Sequence, residues 1–300
     1  MTKSFREDLT GVFPPNMTCF ADEQVAYDRI RENIERYNAT PVKGFFPLGS
    51  NGEFRSLTDE ESLKIVDVYR KHRGPGKILM VGAARESLKT TVEFTRKVAD
   101  KGADFATILP PHYFVNFMSE DVLIRYFMMV ADASPIPIMV YNAPKFAAGL
   151  ILSPRLIAAV AAHPRIAGLK DTSKEDITQY VNAVPPGADF SVLAGTIEKF
   201  YKGLLVGAVG GVLSIANYLP EMCCELHALH VAGKLEEAEK LDARARALSG
   251  NAAGKAGVAG VKAAMDVRGY FGGAPRLPLL PLGEKEKAEL KAALAQEGLA

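Results

Sequence analysis

The 300-residue chain is 48% hydrophobic and 24% charged, the composition of an ordinary globular protein with a large core. Its 36 basic and 35 acidic residues leave a net charge of +1, which excludes the basic footprint of a nucleic-acid binder. No apolar run reaches the roughly 18 residues of a membrane span.

The N-terminal stretch MTKSFREDLTG has no apolar segment of the signal-peptide kind, and Glu7 and Asp8 argue against a transit peptide. Short apolar runs then alternate with longer charged stretches. Strand-like segments fall at 11–14 (GVFP), 44–48 (GFFPL), 78–82 (ILMVG), 105–109 (FATIL), 136–141 (IPIMVY), 166–170 (IAGLK), 191–194 (SVLA) and 210–214 (GGVLS). Their unbroken apolar character predicts strands buried on both faces, as in parallel sheets. Between them lie helix starts. Thr58 precedes DEESLKIVDVYRKH with Glu61 three residues on, a capping-box pattern. Ser119 precedes EDVLIRYFMMVAD, and Ser153-Pro154 opens RLIAAVAAH with proline at the first helical position.

Eight such β–α steps in about 230 residues predict a (β/α)8 barrel, and no GxGxxG follows the first strand to favour a doubly wound sheet. Beyond residue 218 the pattern turns helical, at 219–232, 234–249, 257–269 and 284–297. Residues 1–218 are therefore expected to form the barrel. Residues 219–300 are expected to supply its last helix and a C-terminal helical extension, all in one compact unit. Cys19, Cys223 and Cys224 are odd in number and lack metal-ligand spacing. Unpaired thiols point to a reducing compartment, so a cytoplasmic protein is expected.

In a barrel enzyme the reacting groups stand at the C-terminal ends of the strands. Lys170 closes IAGLK at such a place. It either leaves the sheet toward water or Asp171, or is a buried amine whose lowered pKa makes it a nucleophile. Tyr141 closes the fifth segment, where its hydroxyl can relay protons or merely satisfy a backbone group. Gly49-Ser50-Asn51-Gly52-Glu53 follows the second segment, and its backbone N–H groups can form an anion nest suited to a carboxylate. Glu53 is expected to brace that loop by hydrogen bonding. Pro110-Pro111-His112-Tyr113 follows the fourth, and Tyr113 can extend a hydroxyl chain; Asn142 and Pro144 read as turn residues.

GSNGE, PPHY, YNAP and GLKD, in this order and spacing, resemble the signature segments of the dihydrodipicolinate synthase/N-acetylneuraminate lyase family of class I pyruvate aldolases. The resemblance runs over the whole chain, including GGVLSIAN at 210–217. It implies a barrel assembled as a homotetramer of tight dimers. Lys170 would form a Schiff base with pyruvate, and Tyr141 would donate and accept the proton. Ser50 and Tyr113 would complete a hydroxyl relay, Tyr113 reaching into the neighbouring subunit's site. Ser50, Asn51 and Gly52 would hold the carboxylate, and the Leu213 main chain would line the pyruvate site. The imine is itself the electron sink, so no metal or other cofactor is expected. The partners would be pyruvate and an aldehyde.

Two features bear on the substrate. Dihydrodipicolinate synthases usually carry arginine two residues after the proline of YNxP, where Phe146 stands here beside Lys145. A lysine lacks arginine's bidentate fork. Meanwhile GVFPPNMTCF, PLGSNGEFRSLT and VKAAMDVRGYFGGAPRLPL are similar to 4-hydroxy-2-oxoglutarate aldolases, the last of them away from the chemistry. Cleavage of a 4-hydroxy-2-oxo acid to pyruvate and an aldehyde is the reading this favours. The alternatives are dihydrodipicolinate synthesis from aspartate semialdehyde, cleavage of a 2-keto-3-deoxy sugar acid or N-acetylneuraminate, and a catalytically silent sugar-acid-binding or regulatory relative. Lys145, Phe146 and residues 251–257 are the expected lining of the distal pocket.

Overall fold

The computed structural model describes residues 4–250 and 255–300, so residues 251–254 of the expected distal lining lie outside the described residues. Among the described residues there are ten strands: β1 (Gly11–Phe13), β2 (Phe20–Ala21), β3 (Gln24–Val25), β4 (Gly44–Phe45), β5 (Ile78–Gly82), β6 (Phe105–Ile108), β7 (Ile138–Asn142), β8 (Ile166–Asp171), β9 (Ser191–Ala194) and β10 (Gly210–Val212). Eight of them make one sheet in the order β1-β10-β9-β8-β7-β6-β5-β4, alternating with helices. This is a (β/α)8 barrel, with a helical C-terminus after it.

Contacts divide the chain into two units, each compact in itself. The first comprises Met1–Gly11 and Ile78–Val212. Its strands β5 to β10 pair in parallel, and every residue from Met139 to Asp171 on β7 and β8 is buried. Burial on both faces is what the unbroken apolar runs encode. Strand β7 begins at Ile138, two residues later than the run IPIMVY suggests, because Pro137 has no N–H to give the ladder. Glycine at 168 is required by close approach: a Cβ there would stand 2.1 Å from the Ser191 carbonyl oxygen. The helices Leu88–Asp100, Glu120–Ala133, Pro154–Ala161 and Ile177–Ala183 start at Ser87, Ser119, Ser153 and Asp176, whose side chains each accept a first-turn N–H.

The second unit comprises Val12–Lys77 and Leu213–Ala300. The capping box expected at Thr58 and Glu61 opens the helix Asp59–His72. Helices Pro220–Val231, Leu235–Ser249, Lys255–Val267 and Glu284–Gln296 lie within two residues of the stretches expected from the pattern. The hairpin of β2 and β3 was not legible. Each strand has two residues, and its turn uses Asp22 and Glu23 at φ 48° and 62° with no glycine to announce it. All three cysteines are buried free thiols.

Candidate functional site

Parallel pairing of β7 with β8 places Tyr141 opposite Lys170 and Asn142 opposite Asp171. Because strand side chains alternate, the first pair shares one face of the sheet and the second pair the other. The Lys170 Nζ lies 4.0 Å from the centroid of the Tyr141 ring. Both side chains are buried, at 3% and 4% exposure. Burial pushes the Lys170 ammonium down from its ordinary 10.5 to about 7. An aromatic face favours the cation by roughly 0.5–2 kcal/mol. Desolvation, at about 1.4 kcal/mol per pH unit, is the larger effect and wins.

On the opposite face, Asp171 is fully buried and ion-paired with Lys199. Lys170 is thus buried rather than released to water, and Asp171 is engaged by Lys199. Asn142, expected as a turn residue, instead ends β7 and ties three elements together. Its Nδ2 donates to Asp171 Oδ1 at 2.9 Å and to the Tyr180 hydroxyl at 3.0 Å, and its Oδ1 accepts from Leu152 N at 3.1 Å. These bonds fix the register that sets Tyr141 against Lys170.

The remaining candidates of this unit stand on loops. Tyr113 is 78% exposed, its ring edge-on to Phe114 at 5.0 Å. The backbone N–H groups of His112 and Tyr113 both donate to Glu86 Oε2 at 3.0 Å, which shapes that loop. Lys145 and Phe146 lie on the 3-10 turn Pro144–Phe146, with the Lys145 Nζ 5.9 Å from the Phe146 ring centroid and Phe146 exposed. The structure therefore brings Lys170 and Tyr141 together and leaves Tyr113, Lys145 and Phe146 at the periphery of their unit.

The second unit carries the Ser50–Glu53 loop. The buried Ser50 Oγ has no hydrogen-bond partner, a condition that asks for a ligand or water. Asn51 Nδ2 donates to Ser214 Oγ at 2.8 Å, beside Leu213, whose N–H donates to the Phe13 carbonyl at 3.1 Å. Thr18 Oγ1 donates to the Gly52 carbonyl at 2.6 Å. A Cβ at Gly52 would stand 3.1 Å from both the Asn16 oxygen and the Leu48 nitrogen, tighter than ordinary contact. Glu53 takes the left-handed φ of 53°, which costs a non-glycine residue roughly 1–2 kcal/mol. Its carboxylate ion-pairs with Lys262 at 2.8 Å, both side chains 1% exposed. Sequence reasoning missed Lys262, since a lone lysine in a helical pattern reads as a solvated face. The segment VKAAMDVRGYFGGAPRLPL, taken as remote, in fact contacts the loop through Lys262 and Arg276.

Among the described residues no three His, Cys, Asp or Glu side chains are grouped to hold a metal ion, and no helix is long and apolar enough to cross a membrane.

Residues 8–297 match the model of the dihydrodipicolinate synthetase family. A protein of Emericella nidulans named "Probable 4-hydroxy-2-oxoglutarate aldolase, mitochondrial" is 31% identical over 296 residues, covering 96% of this chain and 94% of the relative. The 4-hydroxy-tetrahydrodipicolinate synthase of Methanothrix thermoacetophila is 31% identical over 289 residues, covering 95% and 96% respectively. Among solved structures, the prophage protein YagE of E. coli K12, a member of the dihydrodipicolinic acid synthase family crystallised with pyruvate, matches with a TM-score of 0.90. Its identity is 28%, over 97% of this chain and 99% of that one.

Proposed function

The chain belongs to the dihydrodipicolinate synthetase family of pyruvate lyases and aldolases, and on that footing we propose that it cleaves a 4-hydroxy-2-oxo acid to pyruvate and an aldehyde through a Schiff base on Lys170. The observation that carries this reading is a buried lysine whose ammonium is lowered to about 7, so that a large share of its amine is neutral near pH 7, and whose Nζ lies over a tyrosine ring. The neutral amine adds to the C2 carbonyl, the Tyr141 hydroxyl gives its proton to the departing hydroxyl, and water leaves as the protonated imine forms. Tyr141 takes the proton of the C4 hydroxyl as the C3–C4 bond breaks, the bonding pair flowing into the iminium. The aldehyde departs and leaves an enamine of pyruvate. Protonation at C3 and hydrolysis of the imine then release pyruvate and free Lys170. To Ser50, Asn51 and Gly52 we assign the carboxylate, whose capture would align the reacting bond, and to the Leu213 main chain the lining of the pyruvate site. The partnerless Ser50 hydroxyl supports that role.

For Tyr113 we propose completion of the hydroxyl relay across a tight dimer within a homotetramer. The exposed Tyr113, Phe114 and Phe117 suit such a contact. A cytoplasmic setting rests on the free thiols.

Phe146 supports this substrate class over dihydrodipicolinate synthesis. An aromatic ring stands where dihydrodipicolinate synthases usually carry the arginine that helps bind the carboxylate of their second substrate, aspartate semialdehyde, and the Emericella relative bears the name of a 4-hydroxy-2-oxoglutarate aldolase. Pyruvate release from 4-hydroxy-2-oxoglutarate, measured beside 2-keto-3-deoxy sugar acids and the pyruvate plus aspartate semialdehyde condensation, decides this. The expected kcat/KM for the first exceeds the others by at least about tenfold, the discrimination that a few pocket contacts supply. A higher value for aspartate semialdehyde would return the dihydrodipicolinate synthase reading.

The pH dependence carries a definite sign. A lysine lowered to about 7 gains its neutral form as pH rises through that value. The rate at which borohydride traps pyruvate on the enzyme should therefore rise about tenfold per pH unit below 7 and level off above it. A rate still climbing tenfold per unit at pH 9 would mean an ordinary ammonium and contradict the account.

A further inference from the structure

The C-terminal segment 262–276 reaches the Ser50–Gly52 turn through Glu53. The Lys262 ammonium is fully buried, donates to the Thr18 carbonyl at 2.8 Å and to the Ala274 carbonyl at 2.9 Å, and is ion-paired with Glu53 Oε1 at 2.8 Å. Glu53 Oε2 accepts from the Arg276 backbone N–H at 2.9 Å. Arg276 is in turn held by Glu61, its NH1 and NH2 at 2.9 and 2.7 Å from the two carboxylate oxygens. Thr18, whose carbonyl Lys262 holds, donates its hydroxyl to Gly52. The ammonium thus bears on the turn from both sides, through Glu53 and through Thr18. Glycine at 272 lets the returning chain pass directly over Lys262, where a Cβ would stand 2.0 Å from the Lys262 carbonyl oxygen.

Replacing a buried ion pair by apolar residues of similar size is often neutral or stabilising, so stability alone is a weak reason for this one. A buried pair does specify geometry well, because each charge accepts few alternative positions. Here the geometry specified is the left-handed Glu53 directly after the turn.

We infer that the Glu53–Lys262 pair is a positioning device for substrate binding: it holds the Ser50–Gly52 turn in the conformation that captures the 2-oxo acid carboxylate, so that the C-terminal segment governs affinity without touching substrate. The inference rests on the proposed role of that turn. It predicts an effect on ground-state binding and none on the chemistry of Lys170, since the pair acts only through the carboxylate turn.

The test measures how much pyruvate is needed for half-maximal borohydride trapping on Lys170, which requires no knowledge of the aldehyde. Wild type is compared with the uncharged pair Glu53→Gln/Lys262→Met and with Glu53→Asp, which keeps the charge but shortens its reach. Thermal melting is followed in parallel. The double variant should need roughly 10- to 100-fold more pyruvate, the range for one lost hydrogen bond to a charged group. Its trapped yield at saturation should match wild type, and Glu53→Asp should fall between the two. A merely structural pair would lower the melting temperature and leave the half-trapping concentration within about twofold of wild type, as replacements at structural sites away from the ligand do. That result overturns the inference. Should the double variant fail to fold, Glu53→Asp is judged by the same criterion. Absence of any adduct on wild-type Lys170 would instead sink the proposed function, and this inference with it.

Discussion

Replacing Lys170 with alanine should abolish pyruvate release by at least on the order of 10⁴-fold, as removal of a covalent nucleophile does in other enzymes. The expectation is large because the imine on this amine is the electron sink into which the C3–C4 bond breaks. Lys199, on the same unit, is committed to Asp171. The fold should survive. Burying the Lys170 ammonium opposes folding at any pH below its ordinary 10.5, and in full below about 7, so the shorter apolar side chain removes that cost. Circular dichroism and thermal melting of Lys170→Ala should therefore resemble wild type while turnover disappears. Residual turnover within about tenfold of wild type would show that catalysis needs no imine at this position, since loss of a nucleophile costs far more.

Substituting Tyr141 by phenylalanine should lower kcat by about 10²- to 10⁴-fold, the usual contribution of a placed general acid/base. The ring that lies 4.0 Å from the Lys170 Nζ is retained, so the surroundings of the amine change little. Pyruvate should still be trapped on Lys170 at concentrations close to those for wild type. That separates a proton-transfer role from a packing role: a Tyr141 that only fills space would leave the phenylalanine variant's kcat nearly intact. The solvent-exposed Tyr113 provides a contrast. On the dimer reading its effect would depend on assembly, whereas that of Tyr141 is intrinsic to the β7–β8 pair.

Much of this was legible in the sequence, for a physical reason. Strands buried on both faces must be apolar throughout, so ILMVG, IMVY and IAGLK stand out against their charged neighbours, and Thr58, Ser119 and Ser153 mark the helix starts that follow. Lys170 and Tyr141 stood out as candidates because each is a polar residue closing an otherwise apolar run. Their approach across two strands was not legible, because register depends on pairing and has no local signature. The Asn142–Asp171–Tyr180 network was missed because its members satisfy one another only in three dimensions, while YNAP alone suggests a turn. The Glu53–Lys262 pair was hidden still more thoroughly, its members lying far apart in the chain and both of a residue type that normally marks exposed surface. The short hairpin at Phe20–Val25 escaped because two-residue strands show no periodicity at all.

The central claim, that Lys170 is the imine-forming residue, is tested most directly by borohydride reduction of the wild-type protein in the presence of pyruvate, followed by mass analysis of its peptides. The account predicts one reduced pyruvate on the peptide bearing Lys170, absent from Lys170→Ala and formed faster at pH 8 than at pH 6. An adduct on another lysine, or none at any pH, would contradict it.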